Sequence, residues 1–242
     1  MNYPVLQLIL AARVFRMMTP TFASPPTFLG TTLDPAAARV WVAGVPLDIG
    51  TTNRAGARDG PLAVRRASRM LADGDNPANW RDPRKLGLAD VGDFAIALGD
   101  LAGSLSLIAE QAGGYSHLVA IGGDHSITLG LLRALTRRCG PLAMLHFDAH
   151  VDTWPDSFGQ PLGHGSVFYR AIVEGLVDPR RMIQIGIRSP VERAVYDWTL
   201  AQGVRIVNAE EVHERGPGAV ADQVLASLGS GPAYLSFDID AI

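Results

Sequence analysis

The sequence predicts an α/β protein, three layers deep (α/β/α), built on a mostly parallel sheet. From residue 39 onward, short and nearly continuous apolar runs alternate with segments of helical spacing, the pattern of strands buried on both faces. The composition is that of a globular protein, 48% hydrophobic and 19% charged, with Gly 26 and Pro 16, which excludes disorder, collagen and coiled coil. With 242 residues the chain is long enough for one large α/β domain, and neither a shift in composition nor an internal repeat marks a second. Residues 1–38 are expected to form an N-terminal arm and residues 39–242 the α/β domain.

Within the arm, the apolar run 5–12 lacks a preceding Lys or Arg and is followed at once by Arg13 and Arg16, the reverse of an export signal. It is also shorter than the roughly 20 apolar residues that span a bilayer. The Pro-rich stretch Thr21 to Pro35 reads as extended chain. Arg39 to Pro46 is the first buried strand. A Gly- and Arg-rich loop, 50–60, leads to Pro61 at the first position of a helix whose apolar spacing is Leu62, Val64, Ala67, Met70 and Leu71. Residues 88–93 form a weaker strand, and 101–112 a helix stopped by Gly113-Gly114. Strand 118–121, helix 126–138 and strand 142–147 follow. Helix 167–177 leads to strand 182–187, helix 191–202 to strand 204–207, and helix 218–228 to the last strand, 233–237.

In an open parallel α/β sheet, ligands bind beyond the carboxyl ends of the strands, and the polar residues collect there. Strand 118–121 runs into Gly122-Gly123-Asp124-His125-Ser126, strand 142–147 into Asp148-Ala149-His150-Val151-Asp152, and strand 233–237 into Asp238-Ile239-Asp240. In extended backbone, residues two apart point the same way, so Asp148, His150 and Asp152 are expected to converge, as are Asp238 and Asp240. Asp124 alone reads equally well as a turn or cap residue. Three ionisable groups in five residues directly after an apolar strand would be costly to desolvate without a cation.

Four carboxylates and two imidazoles without a thiolate suit Mn(II) better than structural zinc. Two such ions about 3.5 Å apart can activate water near neutral pH, so the chemistry expected is metal-assisted hydrolysis. The net charge of −3 and pI near 6.0 provide no positive field for nucleic acid or an anionic membrane, which leaves a small molecule or a protein as the expected partner. The single cysteine, Cys139, suits the reducing cytoplasm and excludes an intrachain disulfide.

The same three segments, in the same order, resemble the metal signatures of the arginase/agmatinase (ureohydrolase) family. The stretch Gly44 to Arg58 with Gly60-Pro61 is closer to agmatinases and guanidino-acid hydrolases than to arginases. The resemblance covers Arg39 to Ile242. It implies two Mn2+ ions per subunit, with His125 and Asp152 on one, His150 and Asp240 on the other, and Asp148 and Asp238 bridging. His164, in Gly163-His164-Gly165-Ser166, matches the histidine thought to pass a proton to the leaving amine, which a Gly-flanked imidazole can do near neutral pH. His117, His146 and His213 read as ordinary structural or surface residues.

The activity implied is hydrolysis of a linear guanidine, agmatine foremost, to urea and an amine, putrescine, a step of polyamine biosynthesis in a cytoplasmic trimer or hexamer. Guanidinobutyrate or guanidinopropionate is the nearest rival substrate, and a formimidoyl-amide the next. Asp156 is a candidate for the distant ammonium of agmatine, Arg54 and Arg58 for the carboxylate of a guanidino acid. The family places a guanidinium-holding Glu and further strands downstream of the last signature, so the chain is expected to be C-terminally incomplete. An inactive subunit acting only as a binding partner is the rival from another class.

Overall fold

The computed structural model describes residues 26–242, so the apolar run 5–12 and the start of the Pro-rich stretch, 21–25, lie outside the described residues. Thirteen regular elements follow in chain order: β1 (Val40–Val45), α1 (Gly60–Ser68), β2 (Leu88–Asp93), α2 (Leu101–Ala112), β3 (Leu118–Gly122), α3 (Ile127–Cys139), β4 (Leu142–Phe147), α4 (Val167–Val173), β5 (Val177–Ile187), α5 (Arg193–Ala201), β6 (Arg205–Asn208), α6 (Ala209–Leu228) and β7 (Ala233–Phe237). All strand pairings between them are parallel, in the orders β2-β1-β3 and β6-β5-β4-β7. Helices cover both faces, giving the three-layer α/β/α arrangement.

Strand alternation decides what each layer receives. On β4 and β5, Met144 and Met182 face a core shared with Leu105 and Ile108 of α2, Leu129 and Leu132 of α3 and Phe168 of α4. Their neighbours Leu145, Phe147, Ile183 and Ile185 turn the other way, onto Val212, Val220 and Val224 of α6. Between the free edges of β3 and β7 lies a groove of about 890 Å³, lined among others by Val119, Leu131, Tyr234 and Leu235.

Several boundaries differ from expectation. Residues 28–30 and 35–37 form short 3-10 turns rather than extended chain, tied down by Leu29 N–H on Ser68 Oγ (2.8 Å) and Thr31 Oγ1 on the Leu88 carbonyl (2.7 Å). α4 ends at Val173, because Gly175 takes a positive φ of 69°, and β5 starts at Val177 instead of residue 182. α6 begins at Ala209, capped by Asn208 on Glu211 N–H at 2.8 Å; Gly216 (φ 76°) and Pro217 kink it where the sequence suggests a start. α1 and the 3-10 turn that follows it (Arg69–Ala72) bury the face opposite to the one their apolar residues mark: Arg65, Ser68 and Arg69 are inside, while Leu62, Val64, Met70 and Leu71 are exposed. Arg65 enters because Asp90 and Asp93 of β2 are there to pair with it.

Candidate metal centre

Three strand ends meet at one rim. Beyond β3, the Gly122-Gly123 turn passes close under the first strand: Gly123 has φ +65°, and a Cβ on it would lie 2.7 Å from the Leu47 carbonyl. Only glycine fits there. Asp124 then acts as a clamp, as its turn reading anticipated. Its Oδ2 accepts the Gly50 N–H at 2.9 Å, and its Oδ1 accepts the Ser126 N–H at 2.9 Å, fixing the loop after β1 to the start of α3. Burial pushes the Asp124 carboxyl up from its ordinary value, against those hydrogen bonds.

His125 follows at the rim with its ring buried. Its Nε2 meets Ser236 Oγ of β7 at 2.7 Å. Its Nδ1 faces Asp152 Oδ2 at 2.9 Å, Asp148 Oδ2 at 3.2 Å and Asp238 Oδ2 at 3.6 Å. Burial opposes charge on this ring, yet the Asp148 and Asp152 carboxylates overcome it and hold its pKa well above the ordinary value. Beside it, His150 Nδ1 lies 3.1 Å from Asp240 Oδ2 and 3.3 Å from Asp148 Oδ1. Asp148 therefore turns one oxygen to each histidine. Although burial opposes its charge, the neighbouring His125 ring and the hydrogen bond with His146 keep its carboxyl far below the usual range. Burial raises Asp240 instead, with the Asp148 and Asp238 charges adding to it.

All six sequence-predicted ligand residues stand at this rim, but not for the reason of strand alternation. β4 ends at Phe147, and residues 148–152 form a bent segment in which Asp152 has φ +50°, a conformation Asp tolerates. Asp238 and Asp240 likewise sit on a 3-10 turn, Asp238 Oδ1 accepting the Asp240 N–H at 3.1 Å. A cation fits the donor set on one observation above others. Buried His125 Nδ1 has three carboxylates within 3.6 Å yet no aligned hydrogen-bond partner, so the group converges on a point rather than on a proton.

His164 is half-buried on a 3-10 turn. Its N–H donates to the Gly50 carbonyl at 3.0 Å and its Nε2 meets Thr52 Oγ1 at 3.0 Å, placing it on the loop that Asp124 clamps. Two of the three candidate substrate-binding residues, Asp156 and Arg58, have local partners. Asp156 Oδ1 accepts the Gly159 N–H at 2.7 Å. Arg58 pairs with buried Asp48, Nε to Oδ1 at 2.8 Å. That hydrogen bond, with help from the Gly56 N–H, pulls the Asp48 carboxyl down to about 2. A carboxyl depressed on folding adds stability above its unfolded value, near 3.8, and loses it as pH falls toward 2. The melting temperature of the wild type is therefore expected to exceed that of Arg58→Ala at about pH 6, with the gap closing between about pH 4 and 2.

His146 and Gln184 are fully buried beneath the rim, in the face otherwise given to Met144 and Met182. Their signal is a polar side chain at an inward, apolar position of a strand.

The arginase family profile matches residues 38–242. The chain belongs to the arginase family. Within it, the chain is 42% identical over 234 residues to a guanidinopropionase of Pseudomonas aeruginosa, covering 92% of this chain and 72% of that one. It is 40% identical over 215 residues to an agmatinase of Chromobacterium violaceum, covering 84% of this chain and 63% of that one. The solved structure of proclavaminate amidino hydrolase from Streptomyces clavuligerus superposes with a TM-score of 0.83 at 37% identity, covering 91% of this chain and 76% of that chain. The chain thus spans between 63 and 72% of the length of these two arginase-family relatives. Among the described residues, no helix is long and apolar enough to cross a membrane.

Proposed function

We propose that this arginase-family chain is a cytoplasmic dimanganese hydrolase that cleaves a linear guanidine to urea and an amine. The observation that carries the proposal is the Asp148 carboxylate, shared between the His125 group and the His150 group. His125 and Asp152 would hold one ion and His150 and Asp240 the other, with Asp148 and Asp238 between them. An oxygen-rich set with two imidazoles suits Mn(II). When bound, such a pair would make water nucleophilic near neutral pH.

The chain's own residues supply the rest. A guanidinium carbon is resonance-stabilised, and its C–N bond breaks readily only if the departing nitrogen receives a proton. His164 is the candidate donor. Its imidazole meets Thr52 Oγ1, and its backbone N–H is held by the Gly50 carbonyl, at the edge of the site and open to solvent. The sum is guanidine plus water giving urea plus amine.

Agmatine is the proposed substrate, because Arg58, one of the two arginines that could meet a guanidino acid's carboxylate, is already paired with Asp48. Agmatine cleavage yields putrescine, a step toward polyamines. The 42% identity to a guanidinopropionase favours the rival substrate. Urea release across agmatine, guanidinobutyrate and guanidinopropionate separates them. Agmatine is expected to lead by at least about tenfold in kcat/KM, ~1.4 kcal/mol of discrimination. A lead for either acid reverses the assignment, formamide from a formimidoyl-amide moves the chain to another reaction, and no product from any substrate supports a binding subunit.

A further inference from the structure

His146 of β4 and Gln184 of β5 are register partners on adjacent parallel strands, and both are fully buried. Gln184 Nε2 lies 2.7 Å from the Val151 carbonyl oxygen, which only accepts, so the amide nitrogen and not its oxygen must face that way. The same Nε2 is 3.1 Å from His146 Nδ1. One amide hydrogen goes to Val151 and the other to Nδ1, which must then be bare. The ring proton is left on Nε2, 2.8 Å from Asp148 Oδ2. His146 thus stands close enough to His125 and Asp148 to be taken for a metal ligand, but its facing nitrogen carries a hydrogen and has no lone pair to give.

Gln184 Oε1, meanwhile, is buried without a hydrogen-bond partner. An unpaired buried acceptor of this kind opposes stability. The orientation that leaves it unpaired is held by the two bonds the amide nitrogen makes.

We propose that Gln184 and His146 are positioning residues. The Gln184 amide fixes the Nε2–H tautomer of His146, and that N–H aims the Asp148 carboxylate so that its two oxygens serve two metal ions. The role depends on Asp148 being a metal ligand, as proposed above. Neither residue touches substrate. Each acts through Asp148, as outer hydrogen bonds commonly orient metal ligands.

The test combines a spectrum with a binding measurement. Nitrogen-15 NMR of imidazole-labelled, metal-free wild-type chain at neutral pH is expected to show His146 protonated at Nε2 and bare at Nδ1. Gln184→Glu, nearly isosteric and, when ionised, only an acceptor, is expected to place a proton on Nδ1 and to weaken manganese binding by about 10–100-fold. Protonation of wild-type His146 at Nδ1, or wild-type manganese affinity in Gln184→Glu, overturns the proposal. Should the variant fail to fold, the wild-type spectrum still decides. A wild-type chain that binds no manganese removes Asp148 as a ligand and the positioning role with it, a result distinct from the wrong tautomer in a chain that does bind.

Discussion

Replacing Asp148 by Asn is expected to lower urea release by at least about a thousandfold, equivalent to ~4 kcal/mol of transition-state stabilisation, and to strip the chain of bound manganese. The size of the effect follows from position. Each Asp148 oxygen faces a different histidine, so a neutral amide there weakens both halves of the centre at once. An amide also puts a donor where His125 or His150 would share a cation with an acceptor. Asp148 is nearly inaccessible, so water cannot take over its place. The check is turnover and metal content of Asp148→Asn against wild type, with circular dichroism to show the fold retained. An Asn variant with wild-type turnover contradicts the bridging role.

The largest effect on stability is expected at Arg65, far from this chemistry. Its Nε donates to Asp90 Oδ2 at 2.8 Å and its Nη2 to Asp90 Oδ1 and to the Gly92 carbonyl, both at 2.9 Å, while Nη1 reaches Asp93. The side chains of Arg65 and Asp90 are 7% and 2% exposed. Burial pushes the Asp90 carboxyl up, but Arg65 and the Phe28 and Gly92 N–H groups outweigh it, and the group stays charged below its ordinary value. Arg65→Met leaves that buried charge without its counterion, a loss of about 3–5 kcal/mol. For a domain of this size the melting temperature should fall on the order of 10 °C. In an Asp90→Asn background the same substitution should cost clearly less. Equal costs in both backgrounds would place the effect in packing rather than in the ion pair.

The parts of this molecule that were legible in the sequence are those where one local signal decides. α2 could be bounded to the residue because Asp100 accepts the Gly103 N–H at its start and Gly113 closes its end. The strands β3, β4 and β7 were legible as unbroken apolar runs that end in charged residues, and those ends were enough to bring the ligand residues to one rim. Where tertiary contacts override the local pattern, the sequence misleads. α1 shows apolar spacing on the face that the fold leaves exposed, since the buried face is organised by Arg65 and its two carboxylates on β2. Residues 148–152 were read as extended and are bent, which needs the positive φ at Asp152. His146 reads from the sequence as a structural residue of its strand, and it is one, but its two partners, one next to it in β5 and one two residues on, are joined by no spacing rule.

The number of manganese ions bound by the wild-type chain bears most directly on the centre proposed here. Equilibrium titration of the metal-free protein, with bound metal counted by mass spectrometry, is expected to give about two ions per chain. In His150→Ala, which keeps the buried His125 group, the count should drop to about one. A wild-type count of zero, or two ions still held without His150, contradicts the pairing of the two groups through Asp148.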